Sequence, residues 1–135
     1  MGPVVLDASV LIGLLDTADA HHERAITDVE RLDRDGRRLL TAASAYSETL
    51  VAFARVDRIP DARSALRSMG IAVVPLGDAE AEDAATLRAT YSALRLPDAL
   101  VLATARRQGA TLLAYDDRLR RTAHNVGVAG NSPPR

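Results

Sequence analysis

The sequence contains no cysteine, and its 17 basic residues are all arginine, so it contains no lysine either. The absence of cysteine excludes disulfide bonds, thiolate zinc sites, iron–sulfur clusters and a cysteine nucleophile. The absence of lysine excludes Schiff-base catalysis and the lysine-containing P-loop. Any chemistry that the chain performs must therefore depend on its acids, arginines, histidines and hydroxyl groups.

Aromatic residues are also scarce, at 3% of the chain, and there is no tryptophan. A stacking platform that binds several unpaired bases is therefore not expected. No apolar run reaches the roughly 18 residues of a membrane span, and the N-terminus has neither the basic nor the long apolar region of a signal peptide. We expect a cytoplasmic protein without membrane contact.

The length and composition indicate one domain. The chain has 135 residues, of which 47% are hydrophobic and 26% charged, as in an ordinary soluble protein. We expect a single domain over residues 1–129 and a disordered tail over residues 130–135, where Gly, Ser and Pro are frequent. The formal net charge of −1 gives no general attraction for nucleic acid.

Short apolar runs alternate with segments of helical spacing along the chain. Strands are expected at Val4–Leu6, Arg38–Thr41, Ile71–Val74 and Thr111–Ala114, with a fifth, edge strand at Val126–Val128. Helices are expected between them, the first of them capped by Ser9. This alternation is typical of an α/β sandwich with a central parallel sheet. The pattern alone does not give the strand order.

Three acidic residues lie beside predicted strands or at the start of a predicted helix. Asp7 directly follows the first strand, and Asp116 follows the fourth. Because the carboxyl ends of parallel strands share one edge of the sheet, both side chains are expected near one crevice. Asp98 lies in the first turn of a helix, after Pro97. Each of the three has an alternative role in capping a helix or complementing its dipole.

Glu48 is the acid that helix formation explains least. Its neighbours on the helix expected from Ala43 to Arg55 include Ala45, Val51 and Ala52, so it projects from an apolar stripe. Burial of an unpaired carboxylate is strongly unfavourable. We therefore expect a positive charge opposite Glu48.

Convergence of these four acids would require a cation. Two like charges about 4 Å apart repel by about 4 kcal/mol at an effective dielectric constant of about 20. An arginine is one candidate for the cation. Mg²⁺ or Mn²⁺ is the other, since a site made of oxygen ligands alone suits hard cations. With an arginine nearby, such an ion favours phosphodiester hydrolysis.

Four segments resemble the motifs of PIN-domain nucleases in their order and spacing. They are Val4–Ile12, Ser44–Glu48, Leu96–Leu100 and Leu113–Asp116. The resemblance extends over nearly the whole chain, and for a domain this small it is greatest to the VapC-type toxins of bacterial toxin–antitoxin pairs. It implies a three-layer PIN-like sandwich with the strand order 3-2-1-4-5.

The same resemblance implies a metal-dependent endoribonuclease. The catalytic acids, which would also hold Mg²⁺ or Mn²⁺, would be Asp7, Glu48, Asp98 and Asp116. In-line attack by water would leave a 5′-phosphate and a 3′-hydroxyl. The resemblance also implies a structured RNA substrate, a homodimer, and inhibition by a small antitoxin whose C-terminal arm packs across the active-site groove.

Two positions depart from the family pattern. Ala114 stands where many relatives carry Thr or Ser, so a hydroxyl beside the fourth acid is missing. Asp117 is an additional acid and a candidate to share or replace the role of Asp116, which leaves two candidates for the fourth ligand. Ser9 is a candidate for orienting a carboxylate, and helix capping explains it equally well. These departures leave an alternative function open, a catalytically silent PIN-like module that binds RNA or protein.

Basic residues and histidines complete the set of candidates. Contacts to RNA phosphates are proposed for residues of a basic C-terminal segment, namely Arg106, Arg118, Arg120 and Arg121. A solvated helix face is the alternative for this segment. The adjacent His21 and His22 are a candidate metal site, although a packing or surface role is the favoured interpretation.

Overall fold

The computed structural model describes residues 2–128. Its strands are β1 (Val4–Leu6), β2 (Leu39–Ala42), β3 (Ile71–Val74) and β4 (Thr111–Leu113). Its helices are α1 (Ala8–Leu15), α2 (His22–Arg34), α3 (Ala43–Ala54), α4 (Ile59–Ser68), α5 (Asp78–Thr90), α6 (Leu96–Arg107) and α7 (Asp117–Asn125). Among these residues, no helix has the length and apolar character needed to span a membrane.

The strands form one parallel sheet in the order β3-β2-β1-β4, and Val5 of β1 is paired with Leu40 on one side and Leu112 on the other. This confirms the α/β class and the first four places of the expected strand order. The chain adds β2 and β3 on one side of β1 and then returns to add β4 on the other. In sheets of this kind, ligands bind in the crevice where the order reverses, at the carboxyl ends of the strands. Here that crevice lies between β1 and β4.

The fifth strand expected at Val126–Val128 is wrong for the part of the chain that the structure describes. Val126 and Gly127 form a turn after α7, and Gly127 has a φ angle of 81°. This left-handed conformation, which glycine adopts readily, interrupts the extended backbone of a strand. The chain still reaches the sheet edge, because the Leu112 N–H donates to the Val128 carbonyl at 2.7 Å. The tail expected at residues 130–135 lies outside the described residues.

Two apolar layers enclose the sheet. Val5 belongs to the layer that contains residues of α5, α6 and α7, while Val4 and Leu6 belong to the layer with α1, α2 and α4. Successive residues of a strand point to opposite faces, so β1 must be apolar on both sides. Its three residues are all buried. The first polar residue after this strand, Asp7, is therefore placed at the edge of the core.

Candidate active site

Asp7 connects β1 to α1 and caps the helix. Its carboxylate accepts hydrogen bonds from the Ser9 hydroxyl at 2.9 Å and from the Ser9 N–H at 3.3 Å. The expectation that Ser9 is the N-cap is therefore wrong: Asp7 is the cap, and Ser9 lies inside α1. Asp7 takes this place because it is the residue that still has extended backbone immediately before the helix. Only 7% of Asp7 is exposed.

The environment of Asp7 disfavours its charge. Burial raises the pKa of the Asp7 carboxyl, the hydrogen bonds from Ser9 lower it in part, and the nearby charge of Asp98 raises it further. No arginine or histidine within residues 2–128 forms an ion pair with it. Asp7 is thus a buried carboxylate whose charged form is disfavoured by burial and has no ion-pair partner among these residues.

Ser9 also links the end of β1 to the end of β4. Besides donating to Asp7, its hydroxyl oxygen accepts a hydrogen bond from the Tyr115 N–H at 3.1 Å. Tyr115 precedes Asp116, which is the N-cap of α7 and accepts from the Leu119 N–H through Oδ1 at 2.9 Å. Asp7 and Asp116 are therefore both helix caps at the same edge of the sheet. Capping and a functional role are compatible at these positions.

The side chain of Tyr115 is held on its far side by α2. Its hydroxyl donates to Asp28 at 2.8 Å, and burial together with Asp28 raises the pKa of the phenol, which keeps it protonated. The His21 ring packs against the Tyr115 ring with centroids 4.8 Å apart. His22 donates through Nδ1 to the Gly13 carbonyl at 2.7 Å. The two histidines thus make packing and hydrogen-bond contacts, as their favoured interpretation predicts.

Asp98 lies in the first turn of α6 and is paired with Arg95. The Arg95 Nε atom is 3.3 Å from Asp98 Oδ2, and the Asp98 side chain is 16% exposed. Burial raises the pKa of Asp98, Arg95 lowers it in part, and the charge of Asp116 raises it. Asp98 is therefore within electrostatic reach of both Asp7 and Asp116.

Arg95 is a functional candidate that sequence reasoning missed. Its pKa is raised chiefly by the charge and hydrogen bond of Asp98, and then by Glu48 and Asp116. The spacing of three residues between Arg95 and Asp98, which brings side chains together at the start of a helix, is the signal that could have found it.

Glu48 lies in the second turn of α3 and is exposed rather than buried in a packed stripe. Of its apolar neighbours, Ala45 is buried in the core, whereas Val51 and Ala52 line an open groove, so the stripe gave the wrong burial for Glu48. That groove also includes Phe53, and a second groove includes Leu96 and Pro97. Glu48 forms no salt bridge within residues 2–128, and the positive charge expected opposite it is represented only by its through-space effect on the pKa of Arg95.

Asp98 and Asp116 line a cleft of about 600 Å³ together with three arginines, Arg95, Arg118 and Arg121. Two of the four arginines proposed as RNA contacts therefore lie beside the acids. Arg120 is instead paired with Asp117 at 3.3 Å, with 14% of its side chain exposed. Arg106 lies near the opposite end of α6 from Asp98, about 12 Å along the helix at 1.5 Å per residue.

The acids do not form a ready metal cage. As the side chains stand, residues 2–128 contain no group of three His, Asp or Glu side chains that could hold a metal ion. The chemistry of the donor set nevertheless fits a hard divalent cation, because it consists of carboxylates. One of them, Asp7, is buried and has no ion-pair partner within the described residues. The charges of the other three, Glu48, Asp98 and Asp116, all act on the guanidinium of Arg95.

Comparisons with known proteins agree with this architecture. Residues 4–125 match the PIN domain family. No curated protein sequence gives a significant match. The fold is similar to Mycobacterium tuberculosis VapC20, a toxin that cleaves the sarcin–ricin loop, with a TM-score of 0.70 and 20% identity over 96% of this chain and 99% of that one.

Two further solved structures come from toxin–antitoxin complexes. One from Klebsiella pneumoniae has a TM-score of 0.66 and 22% identity, covering 85% of this chain and 88% of that one. VapBC2 from Rickettsia felis, bound to a DNA fragment from its promoter, has a TM-score of 0.71 and 12% identity, covering 90% and 93%. At these identities the likeness shows the fold, whereas the family match rests on the sequence itself and covers all the strands and helices described above. The chain belongs to the PIN domain family.

Proposed function

We propose that the protein is a metal-dependent endoribonuclease and the toxin of a toxin–antitoxin pair. The observation that carries this proposal is the placement of Asp7, Asp98 and Asp116 around the crevice between β1 and β4. The charge of Asp98 raises the pKa of Asp7, and the charge of Asp116 raises the pKa of Asp98, so Asp98 is within electrostatic reach of both other acids. Carboxylates that raise one another's pKa by like-charge repulsion in this way are typical of sites that bind a cation.

The proposed metal ligands are Asp7, Asp98 and Asp116, with Glu48 approaching from α3. A bound Mg²⁺ or Mn²⁺ would activate water and neutralise charge on a phosphate. Ser9 would hold the Asp7 carboxylate in place and, through the Tyr115 N–H, position the start of α7. In this arrangement Ser9 takes over the orienting role that the missing hydroxyl at Ala114 would have.

The RNA backbone is proposed to lie in the cleft beside Asp98 and Asp116. Arg118 and Arg121 line this cleft from α7 and would bind phosphates through their planar guanidinium groups. Asp117 is proposed to stay outside the site, because it is 62% exposed and paired with Arg120. Asp116 is therefore our choice for the fourth acid.

The antitoxin is proposed to cover the groove between α1 and α3. This groove, of about 600 Å³, is lined by the apolar residues Ile12, Leu15, Val51, Ala52 and Phe53. Val51 is 45% exposed, and Glu48 stands at one wall. An extended segment with apolar side chains and a basic residue would match both features. Val51→Asp should abolish inhibition by the co-expressed antitoxin, whereas Val73→Asp, at an exposed position of β3, should not.

The proposed homodimer can be tested by light scattering on the purified protein. A molar mass near twice the 14.4 kDa of the chain supports it.

The nuclease is tested with purified, antitoxin-free protein and total bacterial RNA, in Mg²⁺ or Mn²⁺ and in chelator. Discrete fragments that carry 5′-phosphates and require the metal ion are expected. They should disappear in Asp7→Asn and Asp98→Asn, and the same variants should relieve growth inhibition in cells. Asp61→Asn, an exposed acid at the start of α4, is the matched control and should cut normally. Cleavage that persists in chelator, or in Asp98→Asn, contradicts the assignment.

One observation favours the second candidate, a silent PIN-like binding module. The acids within residues 2–128 do not stand close enough together to hold a metal ion without side-chain movement. Calorimetry with Mn²⁺ separates the two candidates, because a nuclease site gives saturable heat that Asp7→Asn removes. A protein that binds RNA but gives no such heat, and cuts nothing, is the silent module.

A further inference from the structure

Arg95 holds a central place among the acids. It is the residue before α6, and its Nε atom pairs with Asp98 across one turn, at 3.3 Å. Glu48 and Asp116 also raise the pKa of Arg95. Neither of these two acids has an ion-pair partner elsewhere in residues 2–128. The guanidinium of Arg95 is thus paired with one proposed ligand and lies within electrostatic reach of two others.

The same guanidinium is weakly attached. The Arg95 side chain is 67% exposed, and within the described chain its hydrogen bond to Asp98 is its one anchor. Ion pairs between exposed side chains contribute little and weaken further in salt. Arg118 and Arg121 line the same cleft, but neither is paired with an acid in the described part of the molecule. Arg95 is the arginine of this cleft that is paired with a proposed ligand.

We propose that Arg95 is a built-in counter-ion that competes with the divalent cation for the acid cluster. In the metal-free protein it offsets the repulsion among Asp98, Glu48 and Asp116. Metal binding must then break the Arg95–Asp98 pair before the carboxylates can close around the ion, so Arg95 lowers the metal affinity of the site. This inference rests on the proposed metal-dependent function.

Calorimetry with Mn²⁺ tests the competition directly. Arg95→Ala should bind Mn²⁺ about two- to fivefold more tightly than the wild type, the range that an exposed ion pair accounts for. Arg95→Lys keeps the charge but loses the guanidinium geometry, so its Mn²⁺ affinity should lie between those of Arg95→Ala and the wild type. Arg121→Ala is the matched control: it removes the same charge from the same cleft without removing a pair, and should change the affinity less. The gap between Arg95→Ala and the wild type should narrow in high salt.

Thermal unfolding gives a second readout that does not depend on cleavage. In chelator, Arg95→Ala should unfold at a lower temperature than the wild type, because the acids lose their counter-charge. In saturating Mn²⁺, its melting temperature should rise by more than that of the wild type. The Arg95 side chain makes no capping hydrogen bond to α6, so the alanine variant retains the helix start.

The outcomes separate this inference from the function on which it rests. Equal Mn²⁺ affinity in Arg95→Ala and the wild type overturns the competition while leaving the metal site intact. Weaker binding in Arg95→Ala also overturns it, since Arg95 would then support the loaded site. If Arg121→Ala binds Mn²⁺ more tightly by the same factor as Arg95→Ala, the effect comes from net charge alone, and the specific role of Arg95 is overturned. If neither the wild type nor any variant binds Mn²⁺, the proposed function fails, and the inference fails with it.

Discussion

The hydroxyl oxygen of Ser9 accepts a hydrogen bond from the backbone N–H of Tyr115 at 3.1 Å, across 106 residues of sequence. The same hydroxyl donates to Asp7 at 2.9 Å. One side chain therefore ties together the carboxyl ends of β1 and β4, each of which is followed by a candidate metal ligand. This contact adds to the backbone pairing of the two strands, in which the Asp7 N–H donates to the Leu113 carbonyl at 3.0 Å.

Ser9→Ala should weaken both the site and the fold. Loss of a group that orients a metal ligand commonly costs about 10–100-fold in metal affinity or activity. The Tyr115 N–H would also lose its partner in a buried position, at a cost of about 1–3 kcal/mol. We expect a Mn²⁺ affinity at least about tenfold lower by calorimetry, together with a reduced melting temperature.

Ser9→Thr keeps the hydroxyl and is the control for this prediction. It should retain more of the metal affinity than Ser9→Ala. If the two variants lose metal affinity equally, the hydroxyl does not orient Asp7, and the effect comes from packing in α1.

The sheet could be predicted from the sequence because its signals are local. Apolar runs such as Val4–Leu6 need burial on both faces, and an acid that follows each of two strands predicts a shared edge. The family resemblance supplied the order of the strands. The strand expected at Val126–Val128 failed because Gly127 adopts a left-handed turn there.

The site was harder to predict, because it depends on which apolar surfaces are packed. The stripe around Glu48 gave no sign that Val51 and Ala52 line an open groove while Ala45 is buried, since periodicity identifies an apolar face but not what covers it. Arg95 was missed because an exposed arginine before a helix is ordinary in a sequence. Only the fold brings Arg95 towards acids from α3 and the end of β4.

Asp7→Asn should abolish Mn²⁺ binding and yet stabilise the metal-free protein at neutral pH. Burial raises the pKa of Asp7, so between the ordinary value of about 3.9 and the raised value the folded state holds more protons than the unfolded state. Stability therefore falls as the pH rises through that window and stays lower above it. Asparagine is neutral and is also a good N-cap, so it avoids this loss.

The measurement is thermal unfolding in chelator from pH 7.5 down to pH 4. The melting temperature of Asp7→Asn should exceed that of the wild type by a few degrees at pH 7.5, since about 1 kcal/mol shifts it by roughly 2–8 °C in domains of this size range. The difference should shrink towards pH 4. A variant that is less stable at pH 7.5 would mean that the Ser9 hydrogen bonds to the charged carboxylate outweigh its burial.

Asp116→Asn and Asp117→Asn form a matched pair that identifies the fourth acid. Asp116 lines the cleft with Asp98, whereas Asp117 is directed to Arg120. Asp116→Asn should lower the cleavage rate by more than the roughly 10–100-fold typical of residues that only support a ligand. Asp117→Asn should leave the rate unchanged and cost about 1 kcal/mol of stability or less, as for other surface pairs. The reverse order of the two rates would assign the role to Asp117.

Arg121→Ala should weaken RNA binding by removing one phosphate contact. Arg121 lines the cleft beside Asp116, while Arg106 lies near the far end of α6 from Asp98. Each phosphate contact adds about 0.7–0.9 to the slope of log affinity against log salt concentration. The slope for a stem–loop RNA, measured by fluorescence anisotropy on the uncleaving Asp98→Asn background, should therefore fall by about that amount in Arg121→Ala. Arg106→Ala should leave the slope unchanged, and an equal loss in both variants would place the RNA over the whole basic segment and not in the cleft.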